Sequence, residues 1–171
     1  PAPVTHRHAR AHAIVQGFAG RRVVVIGDVM LDHFLFGRVQ RLSPEAPVPI
    51  VEYDHDDYRP GGAANVAMNL AALGASVPLI GVVGDDEAAA RLRQLLADGG
   101  VDAGDLVTDA DRRTTRKLRI VTQRQQQVAR VDFENDTDIA GPVAEQVDAA
   151  IAARCADADI VLVSDYLKGV I

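Results

Sequence analysis

The sequence predicts an α/β fold in which a parallel sheet carries ligand chemistry at its carboxyl edge and a small second sheet stands beside it. Three observations support this. Arg22 to Gly27, RVVVIG, is a continuous β-branched run closed by glycine, the pattern of a strand buried on both faces. Val77 to Val83 and Asp159 to Val163 repeat that pattern, with helical stretches between them. Phe34 to Val39 and Val48 to Tyr53 read as short strands around the turn RLSPEAP, where Pro44, Pro47 and Pro49 disfavour a central sheet position.

At 171 residues, 48% apolar and 25% charged, the chain fits one globular domain with a sizeable core. Its net charge of −6 argues against a general nucleic-acid binder. The charge-free run 60–84 is divided by two asparagines, a proline and several glycines into a helix and a strand, so no membrane span is expected. The first twenty residues lack a long apolar core, and no secretory signal is expected. Cys155 is the single cysteine, which rules out an intrachain disulfide and makes a reducing cytoplasm the expected compartment. It ends an alanine-rich helical pattern and reads as a packed small residue.

Residues 1–20 read as a flexible extension, with a short helix about Ala13 to Ala19. His6, His8 and His12 have no carboxylate or cysteine partner nearby, so no metal is expected there. Asp28 and Asp32 follow the first strand at its carboxyl end, where ligands of open α/β sheets gather. One glycine followed by DVMLD is not GxGxxG, which sets a dinucleotide fold aside.

Arg59 to Asp86, RPGGAANVAMNLAALGASVPLIGVVGDD, holds the densest chemistry. Gly61 and Gly62 permit positive φ and leave the backbone open to a ligand at the start of a helix, where the macrodipole favours oxygen-rich groups. Asn65, one turn in, both donates and accepts, as a sugar hydroxyl does. Asp85 and Asp86 stand where an N-cap and a first-turn acid belong, before a helix from Glu87 to about Ala97 that Gly99 and Gly100 stop.

Residues 114–134 alternate as a hairpin turning near residues 124–126. From Arg112 to Arg130 the cations Arg112, Arg113, Arg116, Lys117, Arg119, Arg124 and Arg130 occur with no acid between them. Such a patch suits recognition of a phosphate already present on a substrate, because guanidinium binds phosphate through paired hydrogen bonds. It also fits a solvated strand face that discourages edge pairing. A helix from about Pro142 to Ala153 precedes the last strand, which ends in SDYLKG and sets Asp165 and Lys168 beside the expected site.

The order Gly61, Gly62, a small residue, Asn65, Ala67, Gly74, Gly84 resembles the first signature of the ribokinase (PfkB) family of carbohydrate kinases. RLSPEAPVPIVE, RPGGAANVAMNLAALGA and TRKLRIVTQRQQQVARVDFE are similar to the bacterial heptose kinases that act on D-glycero-β-D-manno-heptose 7-phosphate. The resemblance implies a ribokinase-like three-layer sandwich with a small β lid, of which residues 21–171 form the N-terminal half, with lid strands at about 34–58 and 114–134. It implies sugar contacts from Asp32, Gly61, Gly62 and Asn65. Lys117 is the first choice for the phosphate, ahead of Arg119, Arg116 and Arg124, and Asp165 and Lys168 complete the substrate set. The heptose kinases have DYGKG where this chain has Leu167 in place of the first glycine. No Walker sequence and no Gly-Ala-Gly-Asp helix start occur. The catalytic base and the pocket for ATP and Mg²⁺ are thus expected in a later half, and this chain alone is expected to bind neither cofactor. A homodimer formed through the lid strands is also implied. The alternatives are a ribose-, fructose- or fructose-phosphate-type kinase and a non-catalytic sugar-binding or dimerisation module.

Overall fold

A computed structural model describes residues 4–122 and 126–171, the side chains of residues 4–8 excepted. Helix α1 spans Val4–Gln16, followed by strands β1 (Val23–Gly27), β2 (Val29–Leu42) and β3 (Pro49–Gly62). Helix α2 (Ala63–Ala72), β4 (Leu79–Val83), α3 (Glu87–Asp98) and β5 (Leu106–Thr108) come next. The chain continues through β6 (Arg116–Thr122), β7 (Gln127–Phe133), α4 (Gly141–Cys155) and β8 (Ile160–Ser164).

Two sheets form. The main one is parallel, in the order β5-β4-β1-β8, and the second runs β3-β2-β6-β7. β1 is buried along its whole length, and its side chains serve both faces. Val23 and Val25 pack with Leu79 and Val83 under α2 and α3, through Ala63, Ala67, Leu92 and Leu96. Val24 and Ile26 pack with Ile80 and Val82 against Val147 of α4. The period of two along β1 therefore generates the helix-sheet-helix layering. β8 is an edge strand, and Ile160, Val161 and Val163 are each about half exposed. No helix among the described residues is long and apolar enough to cross a membrane.

Several expectations are corrected. The N-terminal helix covers Val4–Gln16 rather than 13–19, because its alanines and arginines are strong helix formers and Gly17 ends it. The two lid strands are far longer than the six-residue runs read from alternation. β2 starts two residues after β1 and includes Asp32, so that residue lies within a strand rather than in a turn. β3 runs through Pro60 and ends at Gly62, which places the glycine pair at a strand-helix junction. Pro60 is tolerated because β3 lies at the sheet edge. β2 and β6 are parallel neighbours, while β6 and β7 form the expected hairpin. Of its turn near 124–126, residues 124 and 125 lie outside the described residues.

Candidate functional site

The antiparallel register of β2 and β3 sets Met30 opposite Gly61 and Val29 opposite Gly62. A Cβ on Gly61 would stand 2.7 Å from Asp32 Oδ2, so only glycine leaves room for that carboxylate. Gly62 caps α2 at φ 57°, ψ −136°, a conformation that L side chains rarely adopt, and a Cβ there would strike the carbonyl oxygen of Asp28. That oxygen accepts from Ala63 N at 2.9 Å, which fixes the start of the helix. Asn65 is exposed on the first turn, and its Oδ1 and backbone oxygen accept from Asn69 Nδ2 at 3.3 and 2.8 Å. Asp32, Gly61 and Gly62 are thus brought together, and Asn65 follows on the helix that Gly62 opens.

The cations expected to meet a phosphate are placed less simply. Arg119 Nη1 donates to Asp32 Oδ1 at 2.5 Å. Its guanidinium and that of Arg59 both lie over the Phe34 ring, at 5.2 and 4.8 Å from the centroid. Lys117 Nζ is 3.3 Å from Asp132 Oδ2 and 3.4 Å from Glu134 Oε2. Asp132 also pairs with Arg130 at 2.8 Å. Desolvation opposes ionisation of Asp132, yet the hydrogen bonds from Arg130 and Lys117 outweigh it and hold the carboxyl below its usual range. The positive run is therefore largely balanced on this face by acids just beyond Arg130, which the hairpin register brings opposite Lys117.

The DYLKG segment is stapled by a residue that sequence reasoning left without a role. Asp28 is 1% exposed, and its Oδ2 accepts from Tyr166 N at 2.7 Å and from Lys168 N at 3.1 Å. Asp165 Oδ1 accepts from Leu167 N at 2.7 Å, so its side chain shapes the turn. Leu167 adopts φ 58°, the left-handed conformation that glycine takes more readily. Lys168 Nζ lies 2.8 Å from Asp136 and 3.2 Å from Glu134. The hydrogen bond to Asp136, aided by Glu134, raises the Lys168 pKa. Glu134 thus joins Lys117 to Lys168, and Arg112 donates to the carbonyls of Lys168 and Thr137.

Residues 21–170 match the family model described as pfkB family carbohydrate kinase. The chain belongs to that family. It is 52% identical over 153 residues to the D-beta-D-heptose 7-phosphate kinase of Bordetella bronchiseptica, covering 90% of this chain and 48% of the relative. It is 48% identical over 164 residues to the bifunctional protein HldE of Caulobacter vibrioides, covering 95% and 33%. The chain spans about half the length, or less, of the curated relatives it matches. Among solved structures, a carbohydrate kinase from Agrobacterium tumefaciens aligns with TM-score 0.63 at 21% identity, over 84% of this chain and 45% of that one. Arabidopsis thaliana ribokinase complexed with ribose and ATP aligns with TM-score 0.60 at 16% identity, over 84% and 45%. These likenesses show the ribokinase-like fold.

Within this pfkB chain, two cavities adjoin the lid sheet. One, of about 350 Å³, lies among Leu31, Tyr58, Arg91, Arg113, Arg116 and Phe133. The other, of about 530 Å³, is bordered by Asp111, Arg113 and the run Asp132 to Asp136. Asp32, Gly61, Gly62 and Asn65 line neither of them.

Proposed function

We propose that this chain is the acceptor-binding part of an ATP-dependent kinase that phosphorylates the anomeric hydroxyl of D-glycero-β-D-manno-heptose 7-phosphate. That reaction serves the nucleotide-activated heptose of lipopolysaccharide and belongs to the cytoplasm. The observation that carries the reading is the Asp32 carboxylate lodged against the Cβ-free face of Gly61, at a glycine-only entrance to α2. The relatives bearing heptose kinase names give it its substrate class. Asp32 accepts hydrogen bonds from sugar hydroxyls, the α2 entrance and Asn65 hold further oxygens, and Lys117 and Arg119 exchange their acidic partners for the phosphate already on the sugar. Asp165 and Lys168 border the same region through the strand end that Asp28 secures.

ATP and Mg²⁺ supply the transferred phosphoryl group and its charge neutralisation in the complete enzyme. The described residues contain no group of three or more His, Cys, Asp or Glu side chains suited to a metal ion. In this reading the part of this chain is to bind and orient the acceptor.

Two copies associate through the lid in this reading. Val39, Leu42, Val48 and Tyr53 are 40–63% exposed on β2, β3 and the turn between them, an apolar surface suited to self-pairing. Sedimentation of Leu42→Glu/Tyr53→Glu should give a monomer where the parent gives a dimer.

Calorimetry with heptose 7-phosphate, ribose and ATP·Mg tests the main reading. Binding of the sugar phosphate alone supports it. Lys117→Ala should weaken the phosphorylated sugar selectively, and equal loss for ribose defeats the phosphate assignment.

A further inference from the structure

Successive residues of a strand face opposite sides, so the lid sheet presents two chemically different surfaces. Asp32, Lys117 and Asp132 are register partners on one face. Leu31, Arg116 and Phe133 are register partners on the other. Leu31 is 1% exposed and belongs to the core beneath α3. The 350 Å³ cavity lies on this second face, with Arg91 and the first turn of α3 on its other wall.

We propose that this cavity binds a small phosphate monoester through Arg91, Arg113 and Arg116, at a place separate from the sugar-binding face. The three guanidinium groups line one cavity, and among the described residues none of them is within ion-pair distance of a carboxylate. Cations gathered this way repel one another, and a dianion relieves that repulsion. Two of them are held in place by aromatic rings. Arg91 lies 5.0 Å from the Tyr58 centroid and Arg116 lies 4.1 Å from the Phe133 centroid. Stacking leaves the in-plane N–H groups of a guanidinium free for paired hydrogen bonds to phosphate oxygens.

Two acids, Asp86 and Glu87, also border the cavity. Both carboxylate oxygens of Asp86 are already committed, Oδ1 to Ala89 N and Oδ2 to Thr114 N, each within 2.9 Å. Leu31, Tyr58 and Phe133 supply an apolar floor for the organic part of the ester, and the volume suits a small ligand.

Titration calorimetry of the 171-residue chain with phenyl phosphate, beside inorganic phosphate and chloride at equal ionic strength, tests this. Phenyl phosphate should bind at one site and more tightly than inorganic phosphate. Arg91→Gln and Arg116→Gln should each weaken it at least tenfold, while Arg38→Gln on the exposed end of β2 leaves it unchanged. Circular dichroism should show the variants folded; where Arg116→Gln unfolds, Arg91→Gln and Arg113→Gln, both at exposed positions, carry the test. Undiminished binding in the Arg91→Gln/Arg113→Gln protein overturns the proposal, as does loss of binding in Arg38→Gln or no heat above the chloride control. If heptose 7-phosphate binds Asp32→Ala and Asn65→Ala as it binds the parent but no longer binds Arg91→Gln, the sugar-site reading falls and this one stands.

Discussion

Arg119 donates to Asp32 across neighbouring strands of the lid, so the carboxylate that faces Gly61 is held by a cation before any ligand arrives. The two side chains are 21% and 23% exposed. At such exposure an ion pair contributes about 0–1 kcal/mol to stability, which makes its positional effect the larger one.

Asp32→Ala should therefore change the unfolding free energy in urea by less than about 1 kcal/mol. The same substitution should lower affinity for the sugar phosphate at least tenfold, since hydrogen bonds to a charged acceptor contribute about 1.5–3 kcal/mol each. Calorimetry and urea titration on one protein preparation check both. A variant that binds like the parent removes Asp32 from the site.

Asp28 is the first carboxylate of GDVMLD and has a different task from Asp32. Fully buried, it receives two backbone N–H groups from the segment after β8. Asp28→Ala should cost about 2–4 kcal/mol, because two amides lose a charged acceptor inside the protein. It should also speed amide exchange at Tyr166 and Lys168. Exchange at those two amides no faster than in the parent contradicts the stapling role.

The parts of the fold set by burial were legible in the sequence. The β-branched runs of β1 and β4 and the amphipathic α3 occur within a residue or two of where periodicity places them. The length of β3 was not legible because it continues through DHDDYRP, which is polar on both faces and lacks the alternation of a half-buried strand, and that of β2 was not because it begins in the buried run VML directly after β1. Gly62 was readable because its positive φ and the Asp28 carbonyl restrict that position to glycine, and Gly61 because a Cβ there would meet the Asp32 carboxylate. The partners of Lys117 were hidden for a geometric reason. Asp132 lies beyond the acid-free run 112–130 and meets Lys117 only through the β6–β7 register. Asp28 showed its place at a strand end but not its partners, which lie 138 and 140 residues away.

Asp86 joins three segments, capping α3 through Ala89 and accepting from Thr114, whose hydroxyl accepts from Gly84 N. Burial opposes its charge, but the hydrogen bonds from Thr114 and Ala89 prevail, and its pKa lies below the ordinary 3.8. A carboxyl whose pKa is lower folded than unfolded adds stability that is fully present above the unfolded value and is lost as pH falls through the folded one. Asp86→Asn should therefore flatten the decline in unfolding free energy between about pH 5 and pH 2. It should also cost about 1 kcal/mol or less at pH 7, since asparagine still caps a helix. Parallel pH profiles for variant and parent exclude this origin of the acid sensitivity.

Leu167 occupies a left-handed turn position at φ 58° with its side chain 78% exposed, so it accepts backbone strain without gaining packing in return. For an L residue that conformation costs about 1–2 kcal/mol, whereas glycine adopts it freely but loses about 0.5–1 kcal/mol more backbone entropy on folding. The balance favours Leu167→Gly by roughly 0.5–1 kcal/mol. Urea unfolding should show a higher midpoint with an unchanged slope. Because Asp28 continues to hold Tyr166 N and Lys168 N, the turn should keep its shape and Lys168 its pairing with Asp136 and Glu134. A lower midpoint would mean that the leucine side chain makes a contact in solution that offsets its strain, and the turn would then owe its form to Leu167 as well as to Asp28.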